Sequence, residues 1–149
     1  MNLRTVAPML VLYVYPSATG LPDLLTPDWA EIPGAIGCTA ESCGFRDHRN
    51  SFAAAGVTVI GLSAQSPQAQ REFATRKDIN FPLVSDQSLR LAGELGLPTF
   101  RAGELQLYRR LTAYAESGRI VKVFYPVFPP DTHPADVLAW VRGHLERGQ

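Results

Sequence analysis

Cysteine is nearly absent from this chain, with two residues in 149, Cys38 and Cys43. A scaffold of structural disulfides is therefore excluded, because such scaffolds are dense in cysteine. No excess of charge is present: 14 Lys plus Arg balance 14 Asp plus Glu, for a formal net charge of zero. That argues against nucleic acid as a main partner, since phosphate binding favours a basic excess. Long hydrophobic runs are missing too. The first apolar run, Val6 to Tyr15, is too short to span a bilayer. One Arg precedes it, no small-residue cleavage site follows, and it ends in Tyr-Pro, so it reads as a buried strand rather than a signal peptide. With no such signal the cytoplasm is the expected compartment, where a cysteine pair is more often catalytic or metal-binding than a staple. Internal repeats and low-complexity segments are lacking. The histidines are three, His48, His133 and His144. None stands at ligand spacing to the cysteines, and C-x4-C is a poor chelating pair, so zinc is not expected. The C-x-x-C motif of general disulfide oxidoreductases is also missing.

What is present reads as one domain over residues 1–149. Apolar residues make up 46% and charged residues 19%, a globular mixture long enough for a real core. The run Met9 to Tyr15 suits a strand covered on both faces. Residues 16–37 carry four prolines and three glycines and predict a long loop, a type usually tied to function. From Thr39 to Ala55 the pattern is helical and Gly56 stops it. Val57 to Leu62 is a second strand. Ser66-Pro67 opens a helix to about Lys77, with Ser as N-cap. Phe81 to Val84 is a short strand, and Asp86 is placed to cap a helix ending at Leu95 and Gly96. Leu111 to Ala115 and Ile120 to Tyr125 flank Glu-Ser-Gly-Arg, a hairpin signal. Pro134 to Arg147 is an amphipathic helix with Val137, Leu138, Val141 and Leu145 on one stripe. This order, β-α-β-α-β-α-β-β-α, implies parallel strands early and an antiparallel pair late. The expected class is α/β: a thioredoxin-like fold, with a mixed central sheet and helices on both faces.

Cys38 immediately precedes the helical pattern, so it belongs in the first turn, where unpaired N–H groups and the helix dipole favour a thiolate. Cys43 is five residues on. In an intact helix their Cα atoms are about 8.7 Å apart, and a disulfide needs less than about 7 Å. The pair can bond only if the first turns unwind, which Gly37 and Gly44 would ease. Spacing alone leaves two readings open: a disulfide confined to one conformational state, or two packed core cysteines.

The run Gly37-Cys38-Thr39-Ala40-Glu41-Ser42-Cys43-Gly44-Phe45-Arg46-Asp47-His48, approached by Pro33-Gly34, resembles the active-site helix of peroxiredoxins of the Q type, also called bacterioferritin comigratory proteins. Their pattern is Pro-Gly-Cys-Thr-x-Glu-x-Cys-x-Phe-Arg-Asp. Similar segments recur at Val59 to Ser63, Phe81 to Asp86 and Arg110 to Ile120, so the likeness covers roughly residues 9 to 145. It implies a thiol-dependent peroxidase on a thioredoxin fold, using no metal, haem or flavin. By position Cys38 is the peroxidatic cysteine and Cys43 the resolving one. The family's Thr, Pro and Arg fall on Thr19, Pro16 and Arg110, with Arg109 as the neighbouring choice, and Glu41 matches the acidic residue that holds that Arg. The family places its Thr three residues before the cysteine; here that position is Ala35, and an insertion containing Trp29 separates Thr19 from Cys38. The partners implied are a hydroperoxide and a thioredoxin-like dithiol reductant, with the chain a monomer or weak homodimer and neither nucleic acid nor membrane involved. The alternatives are a non-enzymatic thiol redox switch and a thioredoxin-fold binding module.

Overall fold

The computed structural model describes residues 7–16, 38–102, 105–127 and 132–148, the side chains of residues 38–40, 102 and 105 excepted. Strands β1 (Met9–Val14), β2 (Thr58–Ser63) and β3 (Leu83–Ser85) alternate with helices α1 (Cys38–Ala54), α2 (Pro67–Arg76) and α3 (Arg90–Leu95). Then come β4 (Thr99–Ala102), β5 (Leu105–Tyr108), β6 (Leu111–Glu116) and β7 (Arg119–Phe124), and helix α4 (His133–Arg147) follows. The main sheet has the order β3-β2-β1-β6-β7. Its first three strands run parallel, and β6 and β7 join antiparallel. This is the mixed α/β sheet of the thioredoxin-like arrangement.

The period-two alternation of a strand divides the core between the two faces of β1. Val11 and Tyr13 point to one side and pack with Phe45 and Phe52 of α1, Phe73 of α2 and Val137 and Val141 of α4. Leu10, Leu12 and Val14 point to the other and meet Leu91 of α3 and Tyr108 of β5. Both faces are thus covered, which is why β1 reads as a continuous apolar run. The Tyr13 ring stacks on Phe45 at 4.6 Å between centroids, fixing α1 over the middle of the sheet. Truncating a buried Phe of this kind costs about 3–5 kcal/mol.

Helix boundaries follow local chemistry. At the end of α1 the Val57 N–H reaches the Phe52 carbonyl and the Gly56 N–H the Ala53 carbonyl. This six-to-one and five-to-two pairing needs the left-handed φ of +80° at Gly56. Ser66 caps α2 by accepting the Ala69 N–H at 3.1 Å. The hairpin between β6 and β7 turns through Ser117 and Gly118, both at positive φ.

Two departures from expectation stand out. Helix α3 begins at Arg90 rather than just after Asp86. A turn intervenes, closed by Leu89 N–H to the Asp86 carbonyl at 3.0 Å, with Leu89 left-handed. The Asp86 carboxylate still caps, accepting from Arg90 and Leu91 at 3.0 and 2.9 Å. The second departure is the separate β4–β5 ladder, which the sequence order lacked. Its strands are four residues each and stand apart from the main sheet, so their periodicity is a weak local signal. Among the described residues the cis peptide is Tyr125–Pro126.

Candidate active site

Helix α1 opens at Cys38, so the peptide N–H groups of its first turn face the end of the sheet where β1 finishes. Glu41 and Ser42 in the next positions are fully buried. Ser42 Oγ accepts a hydrogen bond from Tyr13 OH at 2.9 Å, tying the helix start to β1. Cys43 is a half-buried free thiol. Helix α1 is continuous from Cys38 to Ala54, so both cysteines lie in one unbroken helix. That is the geometry in which about 8.7 Å separates their Cα atoms.

Arg110 immediately precedes β6. Its Nη1 donates to Glu41 Oε1 at 2.8 Å, and the two side chains are 2% and 0% exposed. Burial pushes the Glu41 carboxyl up to about 7 against the pull of Arg110 and its hydrogen bond. The second carboxylate oxygen, Oε2, has no hydrogen-bond partner among the described residues. A charged fork is therefore held dry at the helix start, with the carboxyl restraining one side of the guanidinium. Arg109 turns elsewhere: its guanidinium lies 5.5 Å over the Phe100 ring. Arg46 pairs with Asp47 at 3.0 Å and donates to the Lys77 carbonyl.

Pro16 is buried just after β1. Val14 pairs with Leu111, so Pro16 and Arg110 both lie at that end of the sheet. Thr19, Trp29 and Ala35 lie outside the described residues, as does the side chain of Cys38. Two neighbours escaped the sequence reading. Thr112 Oγ1 and His133 Nε2 are hydrogen-bonded at 2.8 Å, both buried. Burial pushes His133 down to about 4, with Asp136 opposing and Arg110 adding to it. A signal existed: His133, Val137 and Val141 recur every four residues along α4, so the histidine continues the apolar stripe.

With this geometry in place, likeness to known proteins is decisive. The pattern of the AhpC/TSA family matches residues 33–123. This chain belongs to the AhpC/TSA family. Peroxiredoxin Bcp of Escherichia coli strain K12 is 26% identical over 138 residues, covering 91% of this chain and 79% of that protein. Chloroplastic peroxiredoxin Q of Gentiana triflora is 29% identical over 106 residues, 71% of this chain and 48% of that protein. The chain thus spans about half the length of that plant relative and about four fifths of the bacterial one. Peroxidoxin BcpB of Mycobacterium tuberculosis superposes with a TM-score of 0.74 at 28% identity, covering 95% of this chain and 83% of that one. Its relatives in the AhpC/TSA family are peroxiredoxins of the Q and Bcp kind, thiol-dependent peroxidases on a thioredoxin-like α/β fold.

Proposed function

We propose that this AhpC/TSA chain reduces hydrogen peroxide or organic hydroperoxides at Cys38. The supporting observation is the buried Arg110–Glu41 pair beside the start of the helix that Cys38 opens. The Cys38 thiolate attacks the terminal peroxide oxygen, a new S–O bond forms, and the O–O bond breaks. Arg110 and the first-turn N–H groups stabilise negative charge on the oxygens, which is electrostatic stabilisation of the transition state. Thr19 relays the peroxide proton to the departing oxygen, which leaves as water or an alcohol, and Pro16 lies at the end of β1 beside Arg110. Cys38 is left as a sulfenic acid. The first turns of α1 then unwind, Cys43 attacks the Cys38 sulfur, water is lost, and an intramolecular disulfide forms. A thioredoxin-like dithiol returns both thiols by exchange and is itself oxidised.

Residues 1–149 act as one domain, as a monomer or weak homodimer in the cytoplasm, with neither nucleic acid nor membrane involved. Among the described residues no helix is long and apolar enough to cross a membrane. The deciding experiment is intact mass under alkylation, before and after one equivalent of peroxide, in the wild type and Cys43→Ser. The wild type loses two alkylatable thiols, and Cys43→Ser holds one added oxygen on Cys38. If neither thiol changes on peroxide addition, the proposal fails.

A further inference from the structure

Beneath the start of α1, side chains from α1, α4 and the start of β6 are joined in a circuit that the backbone from Arg110 to Thr112 closes. Arg110 precedes β6 and Thr112 lies two residues on, so both project to the same face of the sheet. Arg110 reaches Glu41 of α1 at 2.8 Å. Thr112 reaches His133 of α4 at 2.8 Å. Between the two helices the His133 ring meets Phe45 edge-on at 6.1 Å, and it meets Phe124 of β7 at 5.6 Å. The two helices approach closely there, with the Pro134 ring against the Gly44 backbone: a Cβ on Gly44 would come within 2.7 Å of Pro134 Cγ. Every polar member of the circuit is buried: Glu41, Arg110, Thr112 and His133 are at most 6% exposed.

We infer that His133 is a positioning residue, which through Thr112 fixes the entry into β6 and so the setting of the Arg110 guanidinium against Glu41. The inference rests on the peroxidase reading above. Thr112 sits opposite Tyr13 in the ladder, and Tyr13 holds Ser42, so slack at Thr112 is felt on both sides of the helix start. The imidazole stays uncharged at neutral pH, because burial and the nearby Arg110 hold its proton affinity down. A neutral ring can keep one hydrogen bond to Thr112 without adding a second cation beside Arg110. The Thr112–His133 link thus spans the sheet and α4 where α1 presents Cys38 to the same end of the molecule.

The test uses the full chain with His133→Leu, His133→Gln and Thr112→Val. Four quantities are read: the second-order rate of Cys38 oxidation by hydrogen peroxide, the rate of disulfide reduction by a dithiol, the thermal midpoint, and the guanidinium NMR signals of Arg110. His133→Leu and Thr112→Val should slow oxidation by about tenfold to a hundredfold, the scale of a slightly misplaced catalytic group. Reduction should be unchanged, and the Arg110 signals should lose their protection from exchange. His133→Gln keeps an amide nitrogen near the Nε2 place and should recover most of the rate, which filling space alone would not do. The inference is overturned if oxidation and the Arg110 signals stay at wild-type values in both polar-deletion variants, or if His133→Gln is as slow as His133→Leu. Should His133→Leu fail to fold, the nearly isosteric Thr112→Val decides. Should the wild type itself not react with peroxide, the peroxidase reading falls, while the Arg110 signals still judge the positioning by themselves.

Discussion

Replacing Glu41 by Gln separates what the buried ion pair does for folding from what it does for chemistry. The carboxylate and guanidinium are 0% and 2% exposed and 2.8 Å apart. Glu41→Gln leaves the Arg110 charge buried without its counter-charge. Breaking a buried pair in this way costs about 3–5 kcal/mol. For a chain of this size each kcal/mol moves the melting temperature by about 2–4 °C, so a fall of roughly 10 °C is expected. The double variant Glu41→Leu with Arg110→Met removes both charges and fills the space with apolar atoms. Such exchanges are often neutral or stabilising, so its melting temperature should return close to the wild type. Its peroxide rate should not return, because Met offers the peroxide oxygens no donor. The Glu41 carboxyl is pushed up to about 7, above its unfolded value, so the wild type gains stability as the pH falls through 7 and the variant does not. The Glu41→Gln deficit should therefore be larger at pH 5 than at pH 8. Circular dichroism melts and stopped-flow peroxide reactions check both halves. The reasoning is refuted if Glu41→Gln melts within a degree or so of the wild type, or if the double variant is no more stable than the single one.

Further outcomes follow from the same site. Cys38→Ser should abolish peroxide reduction and leave the fold intact, since serine has nearly the same volume but no accessible oxyanion; residual turnover in a peroxide-consumption assay would falsify the assignment of Cys38. Arg110→Lys should lose much of the second-order rate, because an ammonium cannot reproduce a planar fork; an unchanged rate moves the role to another cation. Oxidation to the 38–43 disulfide should open the amides of residues 38–45 to hydrogen exchange, and Cys43→Ser should block that opening; identical exchange in both redox states removes Cys43 from the cycle. His133 is held down to about 4 in the fold and titrates near 6.5 when unfolded, so its contribution to stability is present above pH 6.5 and lost as pH falls through 4. Glu41 has the opposite sign, with its raised value favouring the fold as pH drops below 7. Between pH 7 and 4.5, His133→Gln should therefore gain about 2–3 kcal/mol on the wild type in urea denaturation, and Glu41→Gln should lose ground; parallel curves for all three proteins contradict the shifts.

The sequence by itself determined the elements whose causes are local. The apolar run of β1, the Ser66 cap, the glycine stop at residue 56 and the hairpin at Ser117-Gly118 each depend on a few neighbouring residues. Cys38 at a helix start is legible for the same reason, and so is the family likeness carried by residues 37–48. Tertiary structure decided what depends on residues far apart. Arg109 and Arg110 are indistinguishable along the chain, yet one stacks on Phe100 and the other is buried on Glu41, 69 residues away. His133 looked like one of three unremarkable histidines until α4 brought it across 21 residues to Thr112. The β4–β5 ladder escaped for another reason: it pairs residues at most nine positions apart, but strands of four residues each carry too little periodicity to be read. The proton affinities of Glu41 and His133 were likewise invisible in the sequence, because they follow from the exclusion of water by the assembled core and not from the residue types.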